Sequence, residues 1–296
     1  ASLEQRLATG FLRNHMINGE GGRIPAENRI DYVMDMTETA GTVWLGLTFN
    51  CCRCHDHKFD PLSQRDYYQL FAFFNNTPVD GGGGDPQTKP VLEVANEEQQ
   101  AQGKQHEAHL RAIALQLDEH ERQIFPRGEG QTAADAEAAK ALPAEIQAEL
   151  KVAPAGRNRG QLEKLSKHFT DRPDYQKLLD AVRDAIDSRD RHQRSLPRVM
   201  IMEELASPRE TFVLLKGMYD KPTDKVEIGV PNQLLPFATE WPKNRLGLAR
   251  WLVAPDHPLT PRVLVNRFWS QFFGVGMVKT TEDFGVQGER PEHPEL

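Results

Sequence analysis

The stretch TVWLGLTFNCCRCHDHKFDPLSQRDYYQLFAFFNN, Thr42 to Asn76, sets a cysteine-rich turn between two apolar runs, and its reading decides the fold. Upstream, Ile30, Met34, Thr37, Gly41, Trp44 and Thr48 recur at alternating spacings of four and three. That periodicity predicts a helix from about Ala26 that delivers the chain to Cys51 on its inner face. Downstream, Ser63 and Asp66 form an S-x-x-D capping pair, which starts a second helix running through Phe74. All three cysteines of the 296-residue chain therefore fall in one turn between helices.

Within that turn Cys51, Cys52, Arg53, Cys54 and His55 satisfy C-x-x-C-H, the attachment signature of c-type haem. Two thiols at this spacing reach the two vinyl groups of a porphyrin and form thioethers, and the next residue turns its imidazole toward the iron. Cys51 and Cys54 are the expected anchors and His55 the proximal ligand; Cys52 and Cys54 stand one residue too close together for the signature. Three other readings stand beside this one. A structural zinc site would use Cys51, Cys54, His55 and His57, although zinc sites usually draw on two separated ligand pairs and no second cysteine pair exists. A redox dithiol would use Cys51 and Cys54 without a thioredoxin-like βαβ setting. Packing alone would treat the three thiols as small buried hydrophobes.

A sixth iron ligand is not fixed by local spacing. Along a continuous helix Met34 and Met36 would lie roughly 22 to 25 Å from Cys51, which makes them core residues. His57 follows His55 too closely to reach the far face of a porphyrin and reads as a neighbour that tunes the site. His15, Met200, Met202 and Met218 are left to tertiary folding, as is an open position. Two strong axial ligands would make the protein a carrier of single electrons; an open position would make it an enzyme. Electron transfer is favoured, because no paired carboxylates, nucleophile elbow, Walker loop or H-E-x-x-H stands out in the chain.

Working outward, the aromatic run gives way to TPVDGGGGDP, Thr77 to Pro86, a Gly/Pro linker placed at residues 80–96. Residues 97–197 are polar and helical. Leu110, Ile113, Leu117 and Ile124 form one apolar stripe, and Tyr175, Leu178, Leu179, Val182 and Ile186 form another, so the segment is expected to fold back as a coiled-coil-like antiparallel pair. His106, His109 and His120 read as a solvated face of the first helix. From Arg198 the runs VMIMEE, ETFVLLKG and KVEIGVP favour short strands, with SPR and DKPTD as turn signals. NRLGLARWLV and RVLVNRFWSQFFGVG follow as helices of a second domain. The fold class expected is mainly α with a small β element. Arg262, Arg267 and Trp269 are read as closing a domain core and its polar rim rather than as a recognition surface.

Composition bounds the function. A formal net charge of −7 and a pI near 5.8 argue against a nucleic-acid binder, which needs a basic face to displace counterions from phosphate. The mean hydropathy of −0.60 and the absence of a long apolar run argue against a membrane span. No signal peptide is visible, and the ends, ASLEQRLATG without a methionine and the polar RPEHPEL, read as cut from something longer.

The runs ATGFLRNHMINGEGG, the Thr42 to Asn76 stretch, and VPNQLLPFATEWPKNRLGLARWLV through RPEHPEL resemble the planctomycete-type cytochrome-associated proteins, which pair two domains of unknown function. The resemblance covers residues 1–79, as the C-terminal part of a cytochrome-like C-x-x-C-H domain, and 198–296, as the N-terminal part of the second domain. It implies an exported, periplasmic bacterial protein carrying covalent heme c at Cys51, Cys54 and His55, with an oxidative role that serves polysaccharide breakdown. A redox partner protein and polysaccharide are the implied partners, with no nucleic acid and no membrane span. Two residues depart from the pattern. Cys52 adds a thiol that competes for the porphyrin, and Leu12 replaces the histidine of a GFHRN motif, which shifts any second axial ligand to His15. The reading from a different class is a non-haem metal-binding or carbohydrate-binding scaffold with no redox role.

Overall fold

The computed structural model describes residues 1–82 and 89–296, and among these described residues local sequence punctuates the chain into ten α-helices and four short strands. Most of the linker read as 80–96 is covered, but residues 83–88 lie outside the described residues. In chain order the elements are α1 (Leu3–Ala8), α2 (Pro25–Ala40), α3 (Gln64–Asn75), β1 (Val91–Glu93), α4 (Glu97–Ile124), α5 (Glu137–Lys140), α6 (Ala144–Leu150) and α7 (Arg159–His168). They continue with α8 (Pro173–Ser195), β2 (Arg198–Met200), β3 (Thr211–Leu214), β4 (Pro222–Val226), α9 (Arg245–Leu252) and α10 (Thr260–Phe273). β1 pairs with β2 and β3 with β4, so the protein is mainly α with a small β element.

The chain divides into two units, residues 1–92 with 199–296 and residues 93–198. In the first, α2 begins with Pro25 at its first position, where the missing N–H costs nothing, and buries Ile30, Val33, Met34, Met36 and Ala40. Met34 and Met36 are thus core residues. α3 starts in a capping box, with the Ser63 hydroxyl accepting from the Asp66 N–H and the Asp66 carboxylate accepting from the Ser63 N–H. It buries Tyr67, Tyr68, Leu70, Phe71, Phe73 and Phe74 against α2. Leu214, Val226, Val230, Leu248 and Trp251 complete the same apolar cluster, so segments 1–79 and 198–296 share one core.

The strands differ from the expected turns in one place. The reversal spans residues 215–221 and takes in only the start of DKPTD, Asp220 and Lys221, because Pro222 already opens β4; within it Lys216 and Gly217 are both left-handed, with φ of 51° and 73°. Glycine adopts that backbone without cost, whereas lysine has a Cβ that crowds the following carbonyl.

In the second unit α4 and α8 run antiparallel. Gln99, Glu107 and Glu121 of α4 meet His192, Arg189 and Tyr175 of α8, so one helix counts up as the other counts down. Leu110, Leu117, Tyr175, Leu179, Val182 and Ile186 share a core, as the two stripes predict. α7 packs along α8, and α6 packs on α7. His109 is exposed, but His106 and His120 are half-buried against the rings of His192 and Tyr175, so the solvated face is narrower than the sequence indicated.

Candidate functional site at the cysteine turn

The predicted helix does not run unbroken to Cys51. After Ala40 the chain loosens into a single wide turn, Gly41–Leu45, and Gly46 ends it in the left-handed region at φ 60°. A Cβ at Gly46 would stand 2.8 Å from Phe284 and 2.9 Å from Val263, so the glycine is needed both for its backbone and for close packing. Residues Phe49–Arg53 then form a 3-10 turn, closed by the Cys54 N–H on the Cys51 carbonyl at 3.4 Å. Phe49 points inward and stacks on Tyr67, and the three-residue period of the turn brings Cys52 to the same buried side while Asn50, Cys51 and Cys54 face out.

That three-residue period separates the three thiols. Cys52 is fully buried, donates to the Leu62 carbonyl at 3.6 Å, and has its thiol pKa pushed up to about 12, first by loss of solvent. Cys51 and Cys54 are exposed and carry no disulfide. The Cys54 thiol donates to the Lys216 carbonyl at 3.3 Å. His55 is exposed, and its Nδ1 lies 2.6 Å from the Asp56 carbonyl, which fixes the proton on Nδ1 and leaves Nε2 as the free lone pair. Cys51, Cys54 and His55 are therefore brought to one solvent-facing turn.

The turn is held from four sides. The Arg53 guanidinium meets Asp31 of α2 at 2.7 Å, while its carbonyl accepts from the Tyr68 hydroxyl at 2.9 Å and the Gln64 amide at 3.2 Å. Asp56 accepts from the Gln64 N–H at 2.7 Å, an added acceptor at the start of α3. His57 turns inward. Its Nδ1 accepts from the Asp60 N–H at 2.9 Å, so the proton sits on Nε2 and is donated to the Thr48 hydroxyl at 3.2 Å. His57 is thus a strut of the loop, and the zinc set Cys51, Cys54, His55 and His57 is not assembled; among the described residues no group of three or more His, Cys, Asp or Glu is placed to hold a metal ion.

The C-terminal segment braces the same region. The buried Asp60 accepts from the Val286 N–H at 2.7 Å, and the Phe284 N–H donates to the Gly46 carbonyl at 2.7 Å. Arg267 donates to the carbonyls of Thr42 and Val43 at the end of the widened turn, where the Thr42 carbonyl also accepts from the Gly46 N–H at 3.2 Å. Its role is structural, as the sequence reading of this block held. Arg262 returns to the Pro258 carbonyl at 3.1 Å, and Trp269 packs on Phe273. Arg267, Phe284 and Val286 give no local signal for their partners, which lie more than two hundred positions away.

The four candidate sixth ligands are dispersed. His15 is buried, stacks on Tyr32 at 4.6 Å, and donates from Nδ1 to the Met16 carbonyl at 2.8 Å. Its Nε2 is buried without a hydrogen bond among the described residues, and burial is the main cause that lowers its pKa. No hydrogen bond, ion pair or ring contact among the described residues joins it to Cys51, Cys54 or His55. Met202 is in the core, and the Met200 sulfur accepts from Arg13 at 3.8 Å. Met218 is partly exposed and lies two residues beyond Lys216, on the turn that touches Cys54.

Two family matches fall on the first unit. Residues 1–79 match PSCyt2, a protein of unknown function (DUF1549), and residues 244–296 match PSD1, a protein of unknown function (DUF1553). These are the paired planctomycete-type domains of unknown function. No curated protein and no solved structure matches the chain. Among the described residues no helix is long and apolar enough to cross a membrane.

Proposed function

We propose that the chain is an exported c-type haem protein of electron transfer, with Cys51 and Cys54 as the thioether positions and His55 as the proximal iron ligand. The observation that carries this reading is the sorting of the thiols: the competing Cys52 is withdrawn into the core, and the two that fit the signature face solvent beside an imidazole with a free Nε2. The donor set therefore fits the group. The haem would supply one-electron cycling of its iron. The chain's own contribution is to fix the His55 tautomer through the Asp56 carbonyl and to hold the turn rigid through Arg53, Tyr68 and Asp31. Thioether attachment takes place outside the bacterial cytoplasm, so this reading carries export with it. A role beside oxidative polysaccharide breakdown rests on the family resemblance alone.

A second reading, a carbohydrate-binding scaffold without redox chemistry, draws on α10, where Phe268, Phe272 and Phe273 are exposed. The test is expression with periplasmic c-type maturation, followed by intact mass and a pyridine haemochrome spectrum. One covalent haem is expected on the wild type and on C52A, and none on C51A/C54A. An apo mass for the wild type, or haem retained by C51A/C54A, would overturn the proposal in favour of the scaffold.

A further inference from the structure

The second unit holds a cavity of about 580 Å³ that has no part in the cysteine turn. One wall is a face of α4, where Arg111, Leu115, Asp118 and Arg122 follow one another at helical spacing; Val152 and Pro154 line the other side. Its charges do not balance. Four arginines line it against two carboxylates, in a chain whose formal net charge is −7.

The ion pairs show where the excess lies. Glu121 is buried and answered by Arg157 and the Tyr175 hydroxyl, so that pair is closed. Asp118 is shared by Arg122 at 2.9 Å and Arg127 at 2.5 Å, so one carboxylate faces two guanidiniums. The exposed Arg111 side chain makes no hydrogen bond or ion pair among the described residues. Between the Arg111 end and the Asp118 end, Leu115 is 64% exposed, a large apolar side chain left in water at the middle of a positively charged groove.

We infer that this cavity binds a small amphipathic anion, a carboxylate on an apolar body, with Arg111 taking the charged group and Leu115 and Val152 taking the chain. Arginine suits this because its planar fork meets both oxygens of a carboxylate. The volume falls within the range of small-molecule sites, and an apolar lining with a few placed charges is their usual composition. Neutral ligands would leave Arg111 unanswered, and inorganic anions would leave Leu115 uncovered.

Isothermal titration of the full chain with octanoate, alongside octan-1-ol as its uncharged analogue, tests the inference. Saturable one-to-one octanoate binding is expected, weakened by added salt. Arg111→Glu and Leu115→Asp change exposed side chains and are expected to fold; each should weaken octanoate by about tenfold or more, as loss of a charge-assisted contact does. Arg111→Gln serves if the reversal perturbs the helix. Phe272→Ser, on the exposed face of α10, should leave binding unchanged. Octanol binding as tightly as octanoate, absence of saturable octanoate binding, wild-type affinity in R111E or R111Q, or loss of binding in F272S would each overturn it. None of these outcomes bears on haem attachment.

Discussion

The Cys54 thiol donates to the carbonyl of Lys216 at 3.3 Å, joining two residues 162 positions apart in the chain. The carbonyl is delivered by a left-handed turn in which the neighbouring Gly217 abuts Arg53: a Cβ there would stand 2.9 Å from the Arg53 side chain, itself held by Asp31. Gly217→Ala is expected to cost about 1–3 kcal/mol through positive φ and this clash. It should also speed alkylation of Cys54 in folded protein made without haem. Urea melts and timed labelling with peptide mapping check both, and an unchanged labelling rate would separate the turn from the thiol.

In protein made without haem, native thiol counting should give two reactive cysteines, rising to three in denaturant, because Cys52 is sealed in the core. Its buried thiol ionises near 12 in the fold, against an ordinary value of 9.0. The unfolded chain gives up that proton first as pH rises, so stability that is present below about 9 is lost between 9 and 12. Cys52→Ala should flatten this alkaline loss in urea melts at pH 8 and pH 10.5; an equal loss in both proteins would assign it to other groups.

In the second unit, Arg157→Met should strand the buried Glu121 carboxylate, which then retains only the Tyr175 hydroxyl. Breaking a buried pair in this way costs about 3–5 kcal/mol, a large share of the roughly 5–15 kcal/mol that holds a domain folded. Adding Glu121→Met removes the orphaned charge and should recover part of the loss. Far-UV circular dichroism with thermal melts reads the helical signal of α4 and α8. If the single and double variants melt alike, the charge is not what the arginine neutralises.

Acid should weaken the fold through histidine. Burial holds both His15 and His257 below the ordinary histidine value of 6.5, and the Nε2 of each is buried without a partner among the described residues. Protonation is therefore taken up by the unfolded chain first, and the stability these rings contribute above about 6.5 is lost as pH falls through their lower folded values. His15→Phe keeps the stack on Tyr32 and removes one titrating ring. Its loss of melting temperature between pH 7.5 and pH 5.5 should be smaller than that of the wild type, and an identical loss would exclude His15.

Local pattern alone determined the long helices α2, α3, α4 and α8 and their inward faces, though not where α2 ends nor the short helices α1, α5, α6 and α7. Period and capping fixed α2 with its buried Met34 and Met36, α3 behind Ser63 and Asp66, the facing stripes of α4 and α8, and a tight C-x-x-C-H turn, because each depends on neighbours within a few residues. Tertiary structure alone decided which thiols face water, that His57 turns inward to Thr48, that Lys216 reaches Cys54, and that residues 1–92 and 199–296 close around one core. Those outcomes rest on contacts between residues far apart in the chain, where burial and hydrogen-bond satisfaction are settled jointly and leave no periodic trace in either segment.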